Sequence, residues 1–248
     1  MDHDAGEYGA RIGDQYDDIY EGVFDTDGAV ALLAELAEEG AVLELGVGTG
    51  RIAIPLSERG VEVHGVDGSP VMLERLAAKP GGARIPTSCG DFTEVRVDRE
   101  FSVVALLINT IYALPDQDAQ VQCFANAARH LEPGGRFVVE AWVPDPPGND
   151  DRLRVRGRRL ATGLAGLVIE DHDPTRQLLS TTQIVLGEDG RMVSFPVVHR
   201  YAWPAELDMM AKHVGLTFEH RWADWRRAPF TRYSENHVSV WRKGDARV

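Results

Sequence analysis

The run Val42-Leu43-Glu44-Leu45-Gly46-Val47-Gly48-Thr49-Gly50-Arg51 decides the fold. Apolar residues at 42, 43 and 45 read as a short strand, and glycines at 46, 48 and 50 as the loop that leaves it. A helix-like segment over residues 51–59 follows. Strand, glycine loop and helix is how α/β proteins hold a nucleotide-like ligand against bare backbone. Glycine supplies backbone angles other residues resist and puts no side chain between loop and ligand.

Upstream, residues 27–39 read as a helix with Val30, Leu33, Leu36 and Ala37 on one face, Asp27 as its cap and Gly40 as its stop. Before it, Ile12, Tyr16, Ile19 and Tyr20 recur at helical spacing over residues 11–22. That short amphipathic helix either packs on the core or forms a lid whose tyrosines face a ligand. Residues 1–10 are polar.

Downstream, residues 61–66 read as a second strand ending in Asp67. Ser69-Pro70 opens a helix, with Ser as cap and Pro at the first helical position. Residues 84–88 read as a third strand before Cys89-Gly90-Asp91-Phe92. Residues 101–108 are a continuous apolar run, as a strand buried on both faces requires. Residues 116–130 are a helix, Pro133-Gly134-Gly135 a turn, and 136–143 the next strand. Regular alternation from 27 to 143 means an α/β fold with a doubly wound, mostly parallel sheet. Ligands of such sheets sit beyond the C-terminal strand ends, which here carry Gly46, Asp67, Asp91, Asn109 and Trp142.

The alternation breaks at Pro144-Asp145-Pro146-Pro147-Gly148. Residues 167–170, 178–186 and 192–202 are strand-like, with Glu188-Asp189-Gly190 as a hairpin turn. They read as an antiparallel insertion laid over one sheet end. A helix over 204–213 and strands near 216–225 and 237–242 complete the main sheet. The expected division is a lid over 1–24, a main domain over 25–143 and 203–248, and the insertion over 144–202.

The 248 residues are 44% apolar and 26% charged, enough for one full core. No apolar run approaches the ~18–20 residues of a membrane span. Met1-Asp2-His3-Asp4 lacks the basic and apolar regions of a signal peptide, so a cytoplasmic setting is expected. A formal net charge of −13 argues against a nucleic-acid partner. Cys89 and Cys123 fit reduced thiols without metal-ligand spacing.

The dinucleotide fingerprint is G-x-G-x-x-G. Here the loop is G-x-G-x-G, with Arg51 where the last glycine would stand. A helix N-terminus suits a pyrophosphate, but its N–H groups also suit a carboxylate. Asp67, 21 residues after Gly46, can accept both hydroxyls of an adenosine ribose, a requirement NAD and S-adenosylmethionine share. Asp91 can accept from an adenine amino group, with Phe92 or Met72 flanking the ring. Glu44 is a carboxylate amid apolar neighbours, costly to bury unless hydrogen-bonded.

These residues resemble the class I S-adenosylmethionine-dependent methyltransferases. V-L-E-L-G-V-G-T-G-R matches that family's first motif, G-V-D-G-S-P-V-M-L its acidic second motif and C-G-D-F its adenine motif. V-V-A-L-L-I-N-T-I-Y-A-L matches the fourth-strand motif, and L-E-P-G-G-R-F-V-V-E the turn into the fifth strand. The resemblance covers roughly residues 40–143. It implies a seven-stranded Rossmann-like sheet of order 3-2-1-4-5-7-6, strand 7 antiparallel, with the β insertion after strand 5. It also implies that Glu44, Gly46, Gly48 and Gly50 line the methionine part of the cofactor, Asp67 binds ribose, Asp91 binds adenine, and Asn109 borders the methyl-transfer site. Tyr20, Arg51, Gly68, Met72 and Phe92 complete the expected cofactor contacts. In layout the small-molecule N-methyltransferases are most similar. Tyr16 aligns with a tyrosine of the amino-sugar enzymes, some of which place a histidine where Ala113 stands here, beside Tyr112.

A sulfonium already activates its methyl group, so the protein must hold the acceptor in line and exclude water. A neutral amine needs no strong base, whereas a hydroxyl needs a base or a metal, and no metal cluster is visible. Tyr16, Asn109, Tyr112 and His172 are the expected residues of the transfer site, His172 as an acceptor-site base. The expectation is methyl transfer to an amine of a small molecule, by a monomer or homodimer that contacts no membrane. O- or C-methylation, an NAD-dependent oxidoreductase and a non-catalytic cofactor-binding protein are the alternatives. Arg152, Arg154, Arg156 and Arg158, at period two, read as a solvated strand face, an anion site or a subunit contact.

Overall fold

The computed structural model describes residues 24–146, 153–159, 165–186 and 192–245. The helix expected over residues 11–22, with Tyr16 and Tyr20, lies outside them. Helix α1 (Thr26–Ala37) is capped by Asp25, not Asp27: its Oδ1 accepts from the Gly28 N–H at 3.0 Å. It ends at Ala37, two residues before the expected end at Glu39, with Glu38 at φ 54°. Strand β1 (Val42–Leu45) is buried throughout. Helix α2 (Ala53–Glu58) and strand β2 (Val63–Asp67) follow. Helix α3 (Pro70–Ala78) starts as its sequence requires, Pro70 at the first position and Ser69 Oγ accepting from Met72.

Strand β3 (Thr87–Cys89) is shorter than expected, because Gly82–Arg84 forms a 3₁₀ turn, entered through Gly81 at φ 84°. Strand β4 (Phe101–Leu106) stops before Ile108, where the backbone turns to positive φ. A 3₁₀ turn over Thr110–Ala113 leads to α4 (Gln117–His130), capped by Asp116. Strand β5 (Leu131–Trp142) begins before the expected Pro-Gly-Gly turn. That turn is instead an irregularity within the strand, the pairing jumping from Phe101↔Leu131 to Val103↔Arg136.

Four strands come next: β6 (Leu153–Arg159), β7 (Ala165–Asp173), β8 (Leu178–Leu186) and β9 (Met192–Arg200). Helix α5 (Pro204–His213), β10 (Leu216–Trp222) and β11 (Asn236–Lys243) close the described chain.

The main sheet runs β10-β11-β5-β4-β1-β2-β3. Its five sequence-early strands are parallel, and β11 is antiparallel to both β5 and β10. This is the expected seven-stranded Rossmann-like arrangement. Alternate residues feed two cores. Leu43, Leu45, Val104, Leu106, Phe137 and Trp241 pack toward α4 and α5, and Val42, Val103, Ala105, Val138 and Val240 toward α1 and α2.

Strands β6 to β9 make a separate antiparallel sheet, the expected insertion after β5. Its root is bolted to the main sheet by a buried polar network. Gln120 of α4 donates to the carbonyls of Ile111 and Arg200, and accepts from Arg200 at 2.6 Å. Arg200 also donates to Glu206 of α5 at 2.7 Å, and Gln177 bridges Glu206 and the Tyr201 carbonyl. Every partner is satisfied, so the network fixes orientation rather than straining the core. Among the described residues no helix is long and apolar enough to cross a membrane.

Candidate active site

The glycine loop leaves the centre of the sheet, between β1 and α2. Gly46, Gly48 and Gly50 have φ of 71°, 55° and 82°, all in the left-handed region. From below, the loop is held by N–H groups of Gly46 and Val47 on the Val66 carbonyl, at 2.8 and 2.9 Å. A Cβ on Gly65 would come within 2.7 Å of Val47, so the bare glycine of β2 lets the loop settle. A Cβ on Gly48 would meet nothing within 4 Å. The space over Gly48 is open, as a ligand seat requires.

Asp67 stands at the end of β2 with both oxygens anchored. Oδ2 accepts from Gly48 N–H at 2.8 Å and Oδ1 from Ser69 N–H at 2.9 Å. Burial raises its pKa against those two hydrogen bonds. Each oxygen keeps a further lone pair, so the carboxylate can still receive two vicinal hydroxyls. Gly68 lies in the bend between Asp67 and Ser69. Asp91 uses only Oδ1, which accepts from Thr93 N–H and Oγ1, both at 2.8 Å. It is thus both the turn acid its position suggests and a holder of a second oxygen at the strand end.

Glu44 is 5% exposed, and its Oε2 has no partner. Burial raises its pKa to about 8, opposed by the Arg51 charge and a hydrogen bond from the Ala53 N–H. An orphaned buried carboxylate oxygen beside an open glycine loop fits an ammonium group. The donor set therefore matches S-adenosylmethionine: Glu44 for the amino end, loop N–H groups for the carboxylate, Asp67 for ribose and Asp91 for the base. Arg51 turns away toward α1, donating to Thr26 Oγ1 at 2.8 Å with Phe24 against its guanidinium. Its bearing on the site is the charge it presents to Glu44.

Two expected adenine neighbours sit deeper than foreseen. Phe92 is 7% exposed and belongs to the core under α4, where Asn126 donates to its carbonyl. Met72 is likewise buried in α3.

The loop after β4 is strained. Ile108 and Asn109 have φ of 49° and 59°, an outlier for a β-branched residue. Glu140 of β5 holds this loop: Oε2 accepts from Ile108 N–H at 3.1 Å, while Oε1 accepts from Trp225 Nε1 at 2.7 Å. Asn109 N–H donates to the Glu140 carbonyl, and Asn109 Oδ1 accepts from Trp142 N–H at 2.7 Å. Asn109 is fixed at the end of β4, as expected. Glu140, a lone acid within V-V-E-A-W, carries the same sequence signal as Glu44.

Tyr112 has a different place from the one expected. It is fully buried, its hydroxyl shared between the carbonyls of Trp142 and Ala202 at 3.0 and 2.9 Å. Burial raises its pKa far above the usual phenol range. It braces β5, α5 and the β4 loop rather than meeting a substrate. Its ring touches Trp142, Trp142 lies 6.0 Å from Tyr201, and Tyr201 lies 6.3 Å from His172. His172 of β7 is 7% exposed with an unpartnered Nδ1, and burial lowers its pKa. His130, in contrast, is spent on structure, accepting from Val97 N–H at Nε2. Tyr16 and Tyr20 lie outside the described residues.

Residues 42–135 match the family model described as a methyltransferase domain. The CcbJ methyltransferase from Streptomyces caelestis superposes with a TM-score of 0.88 at 40% identity, over 98% of this chain and 100% of that one. A methyltransferase of Geobacillus thermodenitrificans is 30% identical over 78% of this chain and 86% of its own length. The cypemycin N-terminal methyltransferase of a Streptomyces species is 29% identical over 80% and 81%. With the orphaned Glu44, the open glycine loop and the two strand-end acids in the expected order, the chain belongs to the S-adenosylmethionine-dependent methyltransferases.

Proposed function

We propose that the enzyme methylates an amine nitrogen of a small-molecule acceptor. The observation that carries the cofactor half is the unpartnered Glu44 oxygen beside the open side of Gly48. Support for the amine comes from the cypemycin enzyme, named for an N-terminal methylation, and a dTDP-amino-sugar N,N-dimethyltransferase of Streptomyces venezuelae, 29% identical over 42% of this chain.

When bound, S-adenosylmethionine supplies a methyl group on a sulfonium. Every other requirement falls on the chain. The rigid loop at Gly46–Gly50, with Asp67 and Asp91, fixes the cofactor's orientation. Asn109, held by Trp142 and Glu140, borders the place where an acceptor nitrogen must sit. The described strands of the insertion, β6 to β9, wall the acceptor side, the His172 end joined to Trp142 through Tyr201. A neutral amine attacks with its own lone pair, and the methylated ammonium gives up its proton to solvent once it has left the site. Positioning therefore carries the rate, and Tyr112 acts as a strut. Tyr16 remains the candidate from the N-terminal segment.

The test is a panel of small amines, phenols and indoles assayed for released S-adenosylhomocysteine, with mass spectrometry locating the added methyl. Methylation at nitrogen is expected. Turnover confined to oxygen or carbon acceptors would overturn the reading.

A further inference from the structure

The insertion sheet sets one row of three side chains abreast. His172 of β7 pairs with Leu179 of β8, and Leu179 with His199 of β9. Direct cross-strand partners share a face. Two imidazoles thus flank one leucine, their backbones about 10 Å apart, two interstrand spacings. The neighbouring row holds Arg154, Glu170, Thr181 and Val197. This face meets the main sheet, through the contacts of His172 with Tyr201 and of Tyr201 with Trp142. The opposite face carries Leu153, Val155 and Val198, each at least half exposed. The face turned to the main sheet thus carries two imidazoles, a carboxylate and a guanidinium beside Leu179 and Val197.

Both imidazoles bury an Nδ1 that has no partner. A buried polar atom is expensive unless it is paired. Two in one row, on the face turned to the main sheet, call for a ligand that bonds to both. Burial lowers the pKa of His172 and brings His199 to about 4, so both rings are neutral at pH 7. A neutral imidazole offers one N–H and one lone pair. A hydroxyl both donates and accepts, so it satisfies either tautomer. A carboxylate or phosphate only accepts and would favour charged rings, and an apolar scaffold would leave both nitrogens unpaired. Arg156 is matched by Glu170 at 3.4 Å.

We propose that His172 and His199 form a hydroxyl-reading subsite, and that the acceptor presents its amine on a polyhydroxylated scaffold. The amine in this statement rests on the function proposed above; the hydroxyl subsite rests on the histidine row. The two residues determine which acceptor binds, without acting on the methyl group.

The experiment uses the full chain loaded with S-adenosylhomocysteine. Amino sugars and aminocyclitols, beginning with glucosamine, are titrated by calorimetry against deoxygenated ring amines such as 3-aminotetrahydropyran. A hydroxylated probe should bind at least about tenfold more tightly than its match, the equivalent of one lost hydrogen bond. The imidazole NMR signals of His172 and His199 should move with it. His172→Phe and His199→Phe should each cut the preference to within about threefold, and His199→Gln should restore part of it, with S-adenosylhomocysteine binding unchanged. Equal binding of both probe classes, silence with every hydroxylated probe, or a preference that survives both Phe variants overturns the subsite. Hydroxylated probes that bind with the imidazole signature while no amine is methylated would sink the amine reading and leave the subsite standing. Amines methylated without hydroxyl preference would do the reverse.

Discussion

Glu44→Gln separates what the buried carboxylate does for the cofactor from what it does to the fold. The carboxyl has a pKa of about 8 in the ligand-free protein against a reference of 4.5. In that window the native state holds a proton that the unfolded chain has lost, so stability falls as pH rises. One unit corresponds to ~1.4 kcal/mol, so ionisation of the unfolded chain weakens the free enzyme by roughly 3 kcal/mol at pH 7 and little at pH 4. Gln keeps the shape without titrating, so Glu44→Gln should stabilise the ligand-free protein by about that amount at neutral pH. Cofactor binding should respond in the opposite sense. To receive an ammonium, Glu44 must give up its proton, which below pH 8 costs about 1.4 kcal/mol per unit. The ratio of wild-type to Glu44→Gln affinity should therefore rise about tenfold per pH unit up to pH 8 and level off above it. The cofactor's own amino group titrates equally in both proteins and cancels from the ratio. Calorimetry at pH 7, in buffers of different ionisation enthalpy, should show wild type releasing more protons than Glu44→Gln on binding the cofactor, by up to about one per site. A ratio flat from pH 6 to 9, with no difference in proton release, would refute the pairing of Glu44 with the cofactor.

Asp67→Ala should weaken cofactor affinity by ~2–4 kcal/mol, since a charged contact to two hydroxyls is lost together with the Gly48 anchor; unchanged affinity in a folded variant would remove Asp67 from the ribose. Gly48→Ala should lower stability by only ~1–2 kcal/mol, from its left-handed backbone. Its cofactor affinity should drop by more than that, and calorimetry showing equal losses would mean that nothing sits over the loop. Tyr112→Phe should lower stability by ~1–2 kcal/mol through its two buried carbonyls and leave the pH profile of kcat unmoved; loss of a limb of that profile would return Tyr112 to the chemistry. Glu140→Ala should reduce kcat more than cofactor affinity by freeing the Ile108–Asn109 turn, and an unchanged kcat would show that the turn holds itself.

Much of the site was readable because its signals are local. Glycines at 46, 48 and 50 report positive φ one residue at a time, and Asp67 and Asp91 follow their strands directly. Glu44 announced itself as an acid in an apolar strand; Glu140 did so equally, but its partners Ile108 and Trp225 are 32 and 85 residues away. The place of Tyr112 is hidden from the sequence for the same reason: its hydroxyl donates to the Ala202 carbonyl, 90 residues on. The histidine row depends on the register of β7, β8 and β9, which no single segment encodes. Element ends shifted where backbone strain overrode apolarity, as when β4 stopped at Leu106 although Leu107 and Ile108 continue the apolar run.

The buried network at the foot of the insertion also governs how acceptor choice can be exchanged between related enzymes. Gln120, Gln177, Arg200 and Glu206 satisfy one another across three elements. A graft cut at Pro144 and Trp203 would carry Gln177 and Arg200 away and strand Gln120 and Glu206 in the host, leaving buried groups without partners. An exchange that keeps Gln177 and Arg200 in place and changes only the residues of β7 and β9 that read the acceptor, His172 and His199, leaves the socket intact. The recognition wall is in this sense a replaceable blade, and its hilt belongs to the catalytic body.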